Sequence, residues 1–303
     1  MTAISARAVP SALTGGKAAP LLLAVAAFVI LFANPFRLLA IDWWNDPNAG
    51  HGLLLAPLAV WLAWKRGLLP ARRPQIALGS VLLLGSVVLR YLSGLAAELF
   101  TMRLSILGAA VGLVIFFWGW RQALHWWLPI VILGLSIPLP AVITNALALP
   151  LQFKASQMGA ALLEARDVPV RLTGNVIMLP GGHRLFVTEA CSGLRSLTAL
   201  LSLGVLIGGL WLRYPLTRVL LIALAIPVAV FINGIRVFLT GFLVFFVSPK
   251  LGEGFMHMTE GWLLFVVAFG ILGLMAWAAS GFERRYRESR QARTDLPELA
   301  ADA

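Results

Sequence analysis

The chain has 303 residues, of which 60% are hydrophobic and only 12% are charged. A soluble protein of this length needs more polar surface, so the composition excludes a water-soluble globular protein and indicates an integral membrane protein. The single cysteine excludes an intramolecular disulfide and a cysteine-based metal cluster. The net charge of +11 comes largely from arginines in short loops and in the C-terminal tail, a pattern that indicates membrane orientation rather than nucleic-acid binding.

Eight apolar segments are predicted to cross the membrane as helices. A helix needs about 20 apolar residues to span a hydrocarbon layer of ~30 Å, and six segments approach or exceed this length. Two shorter segments are bounded by charge, Trp or Pro and are also predicted to span. In chain order the predicted spans are 20–40, 52–64, 76–95, 104–120, 123–139, 194–212, 218–246 and 261–281. The predicted fold is an all-α polytopic membrane protein with about eight transmembrane helices.

The basic loop residues predict the orientation of these spans. Lys and Arg in short loops favour the cytoplasmic side. If eight spans alternate, one side carries all of Lys65, Arg66, Arg72, Arg73, Arg121, Arg213, Arg218 and the basic tail. Both termini are therefore predicted to be cytoplasmic. The loops 42–52, 140–190 and 248–260 then share the outer face.

The segment 140–190 is predicted to be an extracytoplasmic insert in a single transmembrane domain, residues 1–282, which is followed by a cytoplasmic basic tail at 283–303. The first part of the insert has helical spacing of apolar residues and is predicted to lie along the membrane interface. The second part has β-branched stretches around "PGG", which predicts a small hairpin before the sixth span. This hairpin leads directly into Glu189–Ala190–Cys191.

Cys191 is predicted to begin the sixth helix on the outer side. A thiol is a good nucleophile as the thiolate, which a helix N-terminus or a neighbouring cation favours. Ser192 and Gly193 suit a first helical turn, and Arg195 lies four residues after the cysteine, on the same helix face. The alternative interpretation is that Cys191 is a small packing residue.

Arg236 and His257 are predicted to lie near the same outer level. Arg236 falls within an apolar segment, where a charge usually faces the bundle or a wet cavity. It reaches the outer level if its helix crosses the bilayer by about residue 238 or, less favoured, if the helix breaks at Asn233–Gly234. A purely structural arginine and a solvated loop histidine are the alternative interpretations. Together with Cys191 the two residues supply a nucleophile, a cation and a proton shuttle, the minimum set for acyl transfer.

Three motifs resemble the exosortase/archaeosortase family. They are "EACSGLRSL" at 189–197, "NGIR" at 233–236 and "HMTEGW" at 257–262. "HGLLLAPLAVWLAW" at 51–64 and "IPLP" at 137–140 resemble flanking family features, so the resemblance covers nearly the whole chain.

The resemblance implies a membrane cysteine transpeptidase or protease of the bacterial inner membrane. Its expected substrates are membrane-anchored proteins with a C-terminal sorting signal made of a Pro-Glu-Pro motif, a transmembrane helix and a basic tail. It implies that the catalytic triad is Cys191, Arg236 and His257, supported by Arg195, Glu189 and Asn233, at the periplasmic face. It also implies a link to exopolysaccharide and surface-protein export. The sequence suggests no metal and no organic cofactor, and the acceptor of the cleaved chain is left open.

Two rival functions remain at this point. In the first alternative to the enzyme, the chain is a transporter in which Arg195 and Arg236 bind an anion and Cys191 only packs. In the second, it is a noncatalytic scaffold of a polysaccharide-export system. Two further arginines, Arg90 and Arg103, flank a predicted outer loop. They are interpreted as snorkelling side chains or, less favoured, as receptors for an acidic substrate group.

Overall fold

The computed structural model describes residues 18–70, 73–187, 194–248 and 254–301, except for the side chains of residues 18, 254–260 and 292–301. These ranges form eleven α-helices and a three-stranded sheet. The helices are α1 (Ala18–Leu31), α2 (Ala33–Asn45), α3 (Gly52–Arg66), α4 (Ile76–Leu95), α5 (Leu99–Trp118), α6 (Trp120–His125), α7 (Trp127–Leu135), α8 (Ala141–Glu164), α9 (Leu194–Trp211), α10 (Pro215–Phe246) and α11 (Gly254–Ala301). The strands are β1 (Arg171–Thr173), β2 (Val176–Met178) and β3 (Arg184–Phe186).

The helices confirm an all-α polytopic membrane protein. Among the described residues, five helices are long and apolar enough to cross a membrane, namely α4, α5, α9, α10 and α11 within Gly261–Gln291. The pair α1 and α2 would make a sixth span, bent by 62° at their junction. The predicted count of eight spans is not confirmed.

Two predicted spans are broken, each near a proline. The predicted span 20–40 is two helices, and α1 ends four residues before Pro35. The predicted span 123–139 is also divided, and α6 ends four residues before Pro129. A proline ring clashes with the carbonyl group four residues earlier and removes one helical hydrogen bond. Both break points are consistent with this steric effect.

The chain divides into two compact units. The first contains Met1–Asp46 and Gly52–Pro138, and the second contains Pro47–His51 and Leu139–Ala303. In the first unit α4 packs against α5, α2 packs on α5, and α3 packs on α7. In the second unit α10 is the central helix and contacts α8, α9 and α11. The predicted tail boundary at residue 282 falls inside α11.

Glu283 of α11 holds the turn between α9 and α10. Its side chain is only 3% exposed, and its carboxylate accepts backbone hydrogen bonds from Arg213 at 2.9 Å and Tyr214 at 3.1 Å. The same carboxylate accepts a hydrogen bond from the Thr217 hydroxyl. A carboxylate at a helix N-terminus satisfies N–H groups that have no partner within the helix. Glu283 thereby fixes where α10 starts relative to α11.

Small residues bring α8 and α10 into close contact. A Cβ atom on Gly234 would lie 2.3 Å from the Met158 sulfur, and one on Gly159 would lie 2.5 Å from a methyl group of Val237. Only glycine permits this approach. Gly234 of the "NG" pair therefore serves helix packing, and α10 continues through the pair without a break. The predicted helix in the first part of the 140–190 insert is α8, although its placement along the membrane interface stays a prediction.

The sheet covers one end of the α8–α10 contact. Its strands are antiparallel in the order β1–β2–β3, and Ile177 at the centre of β2 is fully buried. Ile177 belongs to the same apolar cluster as Leu163 of α8 and Val237 of α10. The hairpin predicted around "PGG" is the β2–β3 pair, in which Gly181 adopts a φ of 80°. An unpredicted third strand, β1, completes the sheet.

Candidate active site

A small cavity lies between the start of α9, the second half of α10 and the N-terminal part of α11. Its volume is about 30 Å³, enough for a water molecule and too little for a peptide. Ser196, Asn233 and Arg236 supply its polar wall, and Gly261 lies beside them. The rest of the wall is apolar and consists of Leu200, Ala229, Ile232, Leu264, Phe265 and Ala268. One cation and two hydrogen-bonding side chains thus share a largely apolar enclosure.

The unbroken helix α10 places Arg236 close to the beginning of α9. From Pro215 to Arg236 the helix makes 21 steps, which correspond to a rise of about 32 Å at 1.5 Å per residue. This rise is close to the ~30 Å thickness of the hydrocarbon layer. A helix that starts at one edge of the layer therefore brings Arg236 near the other edge. The less favoured alternative, a helix broken at Asn233–Gly234, is wrong, because α10 is continuous from Pro215 to Phe246.

The guanidinium group of Arg236 lies against the backbone of α11 at Gly261. A Cβ atom built on Gly261 would lie 3.2 Å from Nη2, 3.3 Å from Cζ and 3.7 Å from Nε of Arg236. Asn233, one helical turn earlier on α10, is 4% exposed and lines the same cavity. The structure therefore brings together two of the six predicted site residues, Asn233 and Arg236.

Arg195 lies outside this cavity. Ser196 lines the cavity, whereas Arg195 is exposed at the start of α9, and its carbonyl accepts a hydrogen bond from the Thr198 hydroxyl at 3.0 Å. Consecutive residues of an α-helix are about 100° apart around its axis, so neighbours face different surroundings. Arg195 thus presents its charge at the surface beside the segment that carries the cysteine.

Three predicted site residues fall outside what the structure describes. Glu189 and Cys191 belong to segment 188–193, which lies outside the described residues, and so does the side chain of His257. The backbone of His257 is part of the first turn of α11, four residues before Gly261. The geometry of the triad therefore stays a prediction. The structure does describe Val187 and Leu194, which flank the cysteine segment.

Both ends of the cysteine segment are anchored by buried residues. Val187 is 1% exposed and Leu194 is 2% exposed. Asn175 forms two hydrogen bonds with Val187. Its backbone carbonyl accepts the Val187 N–H at 3.0 Å, and its side-chain amide donates to the Val187 carbonyl at 3.0 Å. The same amide donates to Oε1 of the buried Gln152 of α8 at 3.3 Å. The end of the sheet is thereby fastened to α8 four residues before Cys191.

Sequence reasoning missed four residues of this region. Ser196 and Gly261 lie within the quoted motifs. The four-residue spacing of His257 and Gly261 could have indicated that these two residues lie one helical turn apart. Asn175 and Gln152 carried no comparable signal, because their bonds connect a turn to a helix 23 residues away in the sequence. Only the folded chain shows that they hold the base of the cysteine segment.

Comparison with known proteins agrees with the motifs. A family model described as transmembrane exosortase matches residues 43–274. This range contains every predicted site residue and both compact units in large part. The comparisons found no matching curated protein and no matching solved structure. Because the match covers most of the chain, the protein belongs to the transmembrane exosortase family, whose general activity is that of a membrane transpeptidase or protease.

Proposed function

We propose that this protein is a cysteine transpeptidase or protease that cleaves C-terminal sorting signals at the periplasmic face of the bacterial inner membrane. One observation carries the proposal: Arg236, Ser196 and Gly261 surround a single cavity. Ser196 follows Cys191 by five residues, and Gly261 follows His257 by four. Described residues from the three proposed motifs therefore line one cavity of the second unit, which supports the proposal.

In the proposed reaction the Cys191 thiolate attacks the carbonyl carbon of the scissile peptide bond. A C–S bond forms, and the negative charge moves to the carbonyl oxygen, which the Arg236 guanidinium stabilises. The C–N bond then breaks, and the His257 imidazolium gives a proton to the leaving amine. An acceptor amine or water attacks the resulting thioester, gives a proton back to His257, and releases the Cys191 thiolate. No redox partner is required.

The surrounding charges support these roles. The exposed Arg195 next to the cysteine segment favours the thiolate over the thiol. The substrate's own transmembrane helix is proposed to lie in the lipid beside the second unit, with its motif at the outer surface. In this orientation both termini of the chain are cytoplasmic, as the basic loops predict. The reaction is proposed to be linked to the export of exopolysaccharide and surface proteins.

A processing assay tests the proposal. The chain is co-expressed with a periplasmic reporter protein that ends in a Pro-Glu-Pro motif, a transmembrane helix and a basic tail. We expect a shortened reporter with the native chain and none with Cys191→Ala or Cys191→Ser. A matched reporter whose motif is replaced by alanines should stay uncut. Mass spectrometry of a rapidly quenched reaction should detect the acyl group on Cys191.

The same assay separates the rival functions. A transporter or a noncatalytic scaffold would leave the reporter uncut by the native chain. Normal processing by Cys191→Ala would sink the proposed mechanism, because no other cysteine exists in the chain to replace the nucleophile. Reporter cleavage that depends on Cys191 but not on the motif would overturn the proposed substrate class and retain the chemistry.

A further inference from the structure

We propose that Gly261 is a positioning residue, whose missing side chain lets the Arg236 guanidinium lie directly against the backbone of α11. This inference rests on the proposed function, in which Arg236 stabilises the oxyanion. It assigns to Gly261 the task of holding a neighbouring charged group in position. Gly261 would affect the reaction only through the position of the Arg236 guanidinium.

The geometry at Gly261 is specific to the guanidinium. The three atoms nearest to a would-be Cβ are Nη2, Cζ and Nε of Arg236, at 3.2, 3.3 and 3.7 Å. Two of these distances are shorter than an ordinary carbon contact of about 3.5–4.0 Å. A methyl group at this position would therefore push the guanidinium by a few tenths of an ångström. Because the guanidinium ends a long side chain and borders a cavity, it can move without disturbing the helices.

Other glycines of the described chain serve different purposes. Those at the contact of α8 and α10, such as Gly159 and Gly234, approach apolar side chains and allow close helix packing. On α11 itself, Gly270 and Gly273 have nothing within 4 Å of a would-be Cβ. Among the glycines that the structure describes, Gly261 is the one whose would-be Cβ meets a guanidinium. The three atoms nearest to its would-be Cβ all belong to the Arg236 side chain.

The consequence for chemistry follows from the tolerance of catalytic geometry. A group that stabilises a developing charge must be held within roughly 0.5 Å of its productive position, and a misplacement of about 1 Å can cost 10²-fold in rate. A shift of a few tenths of an ångström is thus expected to lower the rate about ten-fold. The substrate would still bind, so the loss should appear in kcat with little change in KM.

Gly261→Ala is expected to lower activity but, by helix propensity alone, to raise the stability of α11, so the two effects can be told apart. Alanine is a better helix former than glycine, so Gly→Ala within α11 should stabilise the helix if nothing else changes. A loss of activity in Gly261→Ala therefore cannot be attributed to a weakened helix. Gly270→Ala is the matched control, since it makes the same chemical change on the same helix in open space.

The first experiment measures processing of the Pro-Glu-Pro reporter by purified full-length variants. We expect Gly261→Ala to lower kcat about ten-fold and Gly270→Ala to leave it within two-fold of the native value. In an Arg236→Lys background, Gly261→Ala should cause little further loss, because the two changes act on the same group. Equal rates for Gly261→Ala and Gly270→Ala, beside a Cys191-dependent native enzyme, would overturn the inference and leave the proposed function intact.

A second experiment does not depend on activity. The melting temperature in detergent is measured for Gly261→Ala and Gly270→Ala, each in the native and in the Arg236→Ala background. We expect Gly270→Ala to shift the melting temperature equally in both backgrounds. Gly261→Ala should raise it more when Arg236 is truncated, because the methyl group then meets no guanidinium. An equal shift in both backgrounds would overturn the contact, whether or not the native chain cleaves the reporter.

Discussion

Each compact unit contains an arginine within an apolar helix, and the two arginines have different surroundings. In the first unit Arg103 of α5 is 5% exposed and forms an ion pair with Asp42 of α2. In the second unit Arg236 of α10 borders a cavity between three helices and lies against Gly261 of α11. The first arginine joins two helices, whereas the second lines a cavity together with Ser196 of α9.

This contrast teaches that a charge inside a membrane helix does not by itself mark a functional site. An arginine paired with a carboxylate within its own unit contributes mainly to folding, since removing either partner leaves a buried charge behind. An arginine that lines a cavity together with other polar side chains, as Arg236 does with Ser196 and Asn233, is a candidate for a functional role. The snorkelling or substrate-receiving roles considered for Arg103 do not describe it, because its charge is already paired with Asp42.

The largest expected effect separates the two arginines by activity. Arg236→Gln should lower the processing rate by roughly 10²–10³-fold, the usual loss when one oxyanion-stabilising donor is removed. Arg236→Lys should recover part of this loss, because it restores the positive charge without the planar group. The measurement is the single-turnover rate on the Pro-Glu-Pro reporter together with the melting temperature. A rate for Arg236→Gln within two-fold of the native value would contradict the role given to this residue.

The second effect concerns stability in the first unit. Arg103→Gln should destabilise the fold by about 1–3 kcal/mol, because it leaves the Asp42 carboxylate without its ion pair. The processing rate per folded molecule should stay close to native. Adding Asp42→Asn should restore part of the stability, since no unpaired charge then remains. Thermal unfolding in detergent measures the first effect, and a large loss of rate in correctly folded Arg103→Gln would erase the contrast with Arg236.

The third effect tests the anchor of the cysteine segment. Asn175→Ala removes the two hydrogen bonds from its side-chain amide to Gln152 and Val187, which should cost about 1–2 kcal/mol of stability. The processing rate should fall several-fold as well, because the base of the segment is no longer fastened to α8. Thr173→Ala, an exposed change in the same sheet, is the control and should leave both quantities near native. An unchanged rate in folded Asn175→Ala would show that the anchor serves stability alone.

The sequence predicted the class of fold and the long helices because hydropathy records them directly. It did not predict where helices break, since proline has no single outcome. Pro35 and Pro129 each follow a helix break by four residues, but Pro227 lies inside the continuous helix α10. In a membrane bundle, neighbouring helices, Ser or Thr side chains and local backbone adjustments can satisfy the backbone groups that a proline frees. This information is tertiary and is absent from a hydropathy profile.

The candidate site was predictable to the extent that its residues lie in local motifs. Asn233 and Arg236 are one turn apart on one helix, so spacing alone predicts that they share a helix face, and the structure shows that they line one cavity. The approach of Arg236 to Gly261 joins residues 25 positions apart, and it depends on how α10 and α11 pack. The same limit applies to the bond between Gln152 and Asn175. Contacts between elements had to be read from the folded chain.

The smallest expected effect is a pH dependence in the first unit, at the start of α5. The Glu98 carboxylate accepts a hydrogen bond from the Thr101 hydroxyl. It also accepts backbone N–H bonds from Thr101 at 2.7 Å and from Phe100 at 3.0 Å. These bonds lower the pKa of Glu98 below its usual value. A group whose pKa is lower in the folded state stabilises the fold above its unfolded pKa of about 4.3 and loses that contribution as the pH falls through the folded pKa.

Glu98→Gln should therefore be less stable than the native chain by roughly 1 kcal/mol at pH 7, the usual contribution of a helix cap. This difference should shrink as the pH falls below about 4, because the native carboxyl then becomes neutral as well. Melting temperatures between pH 3 and 7 measure it, with Glu288→Gln as the control at an exposed position of α11. A difference in melting temperature that stays constant over this range would mean that the cap acts through side-chain shape rather than through its charge. Charge would then contribute less to the stability of the first unit than the Arg103–Asp42 ion pair suggests.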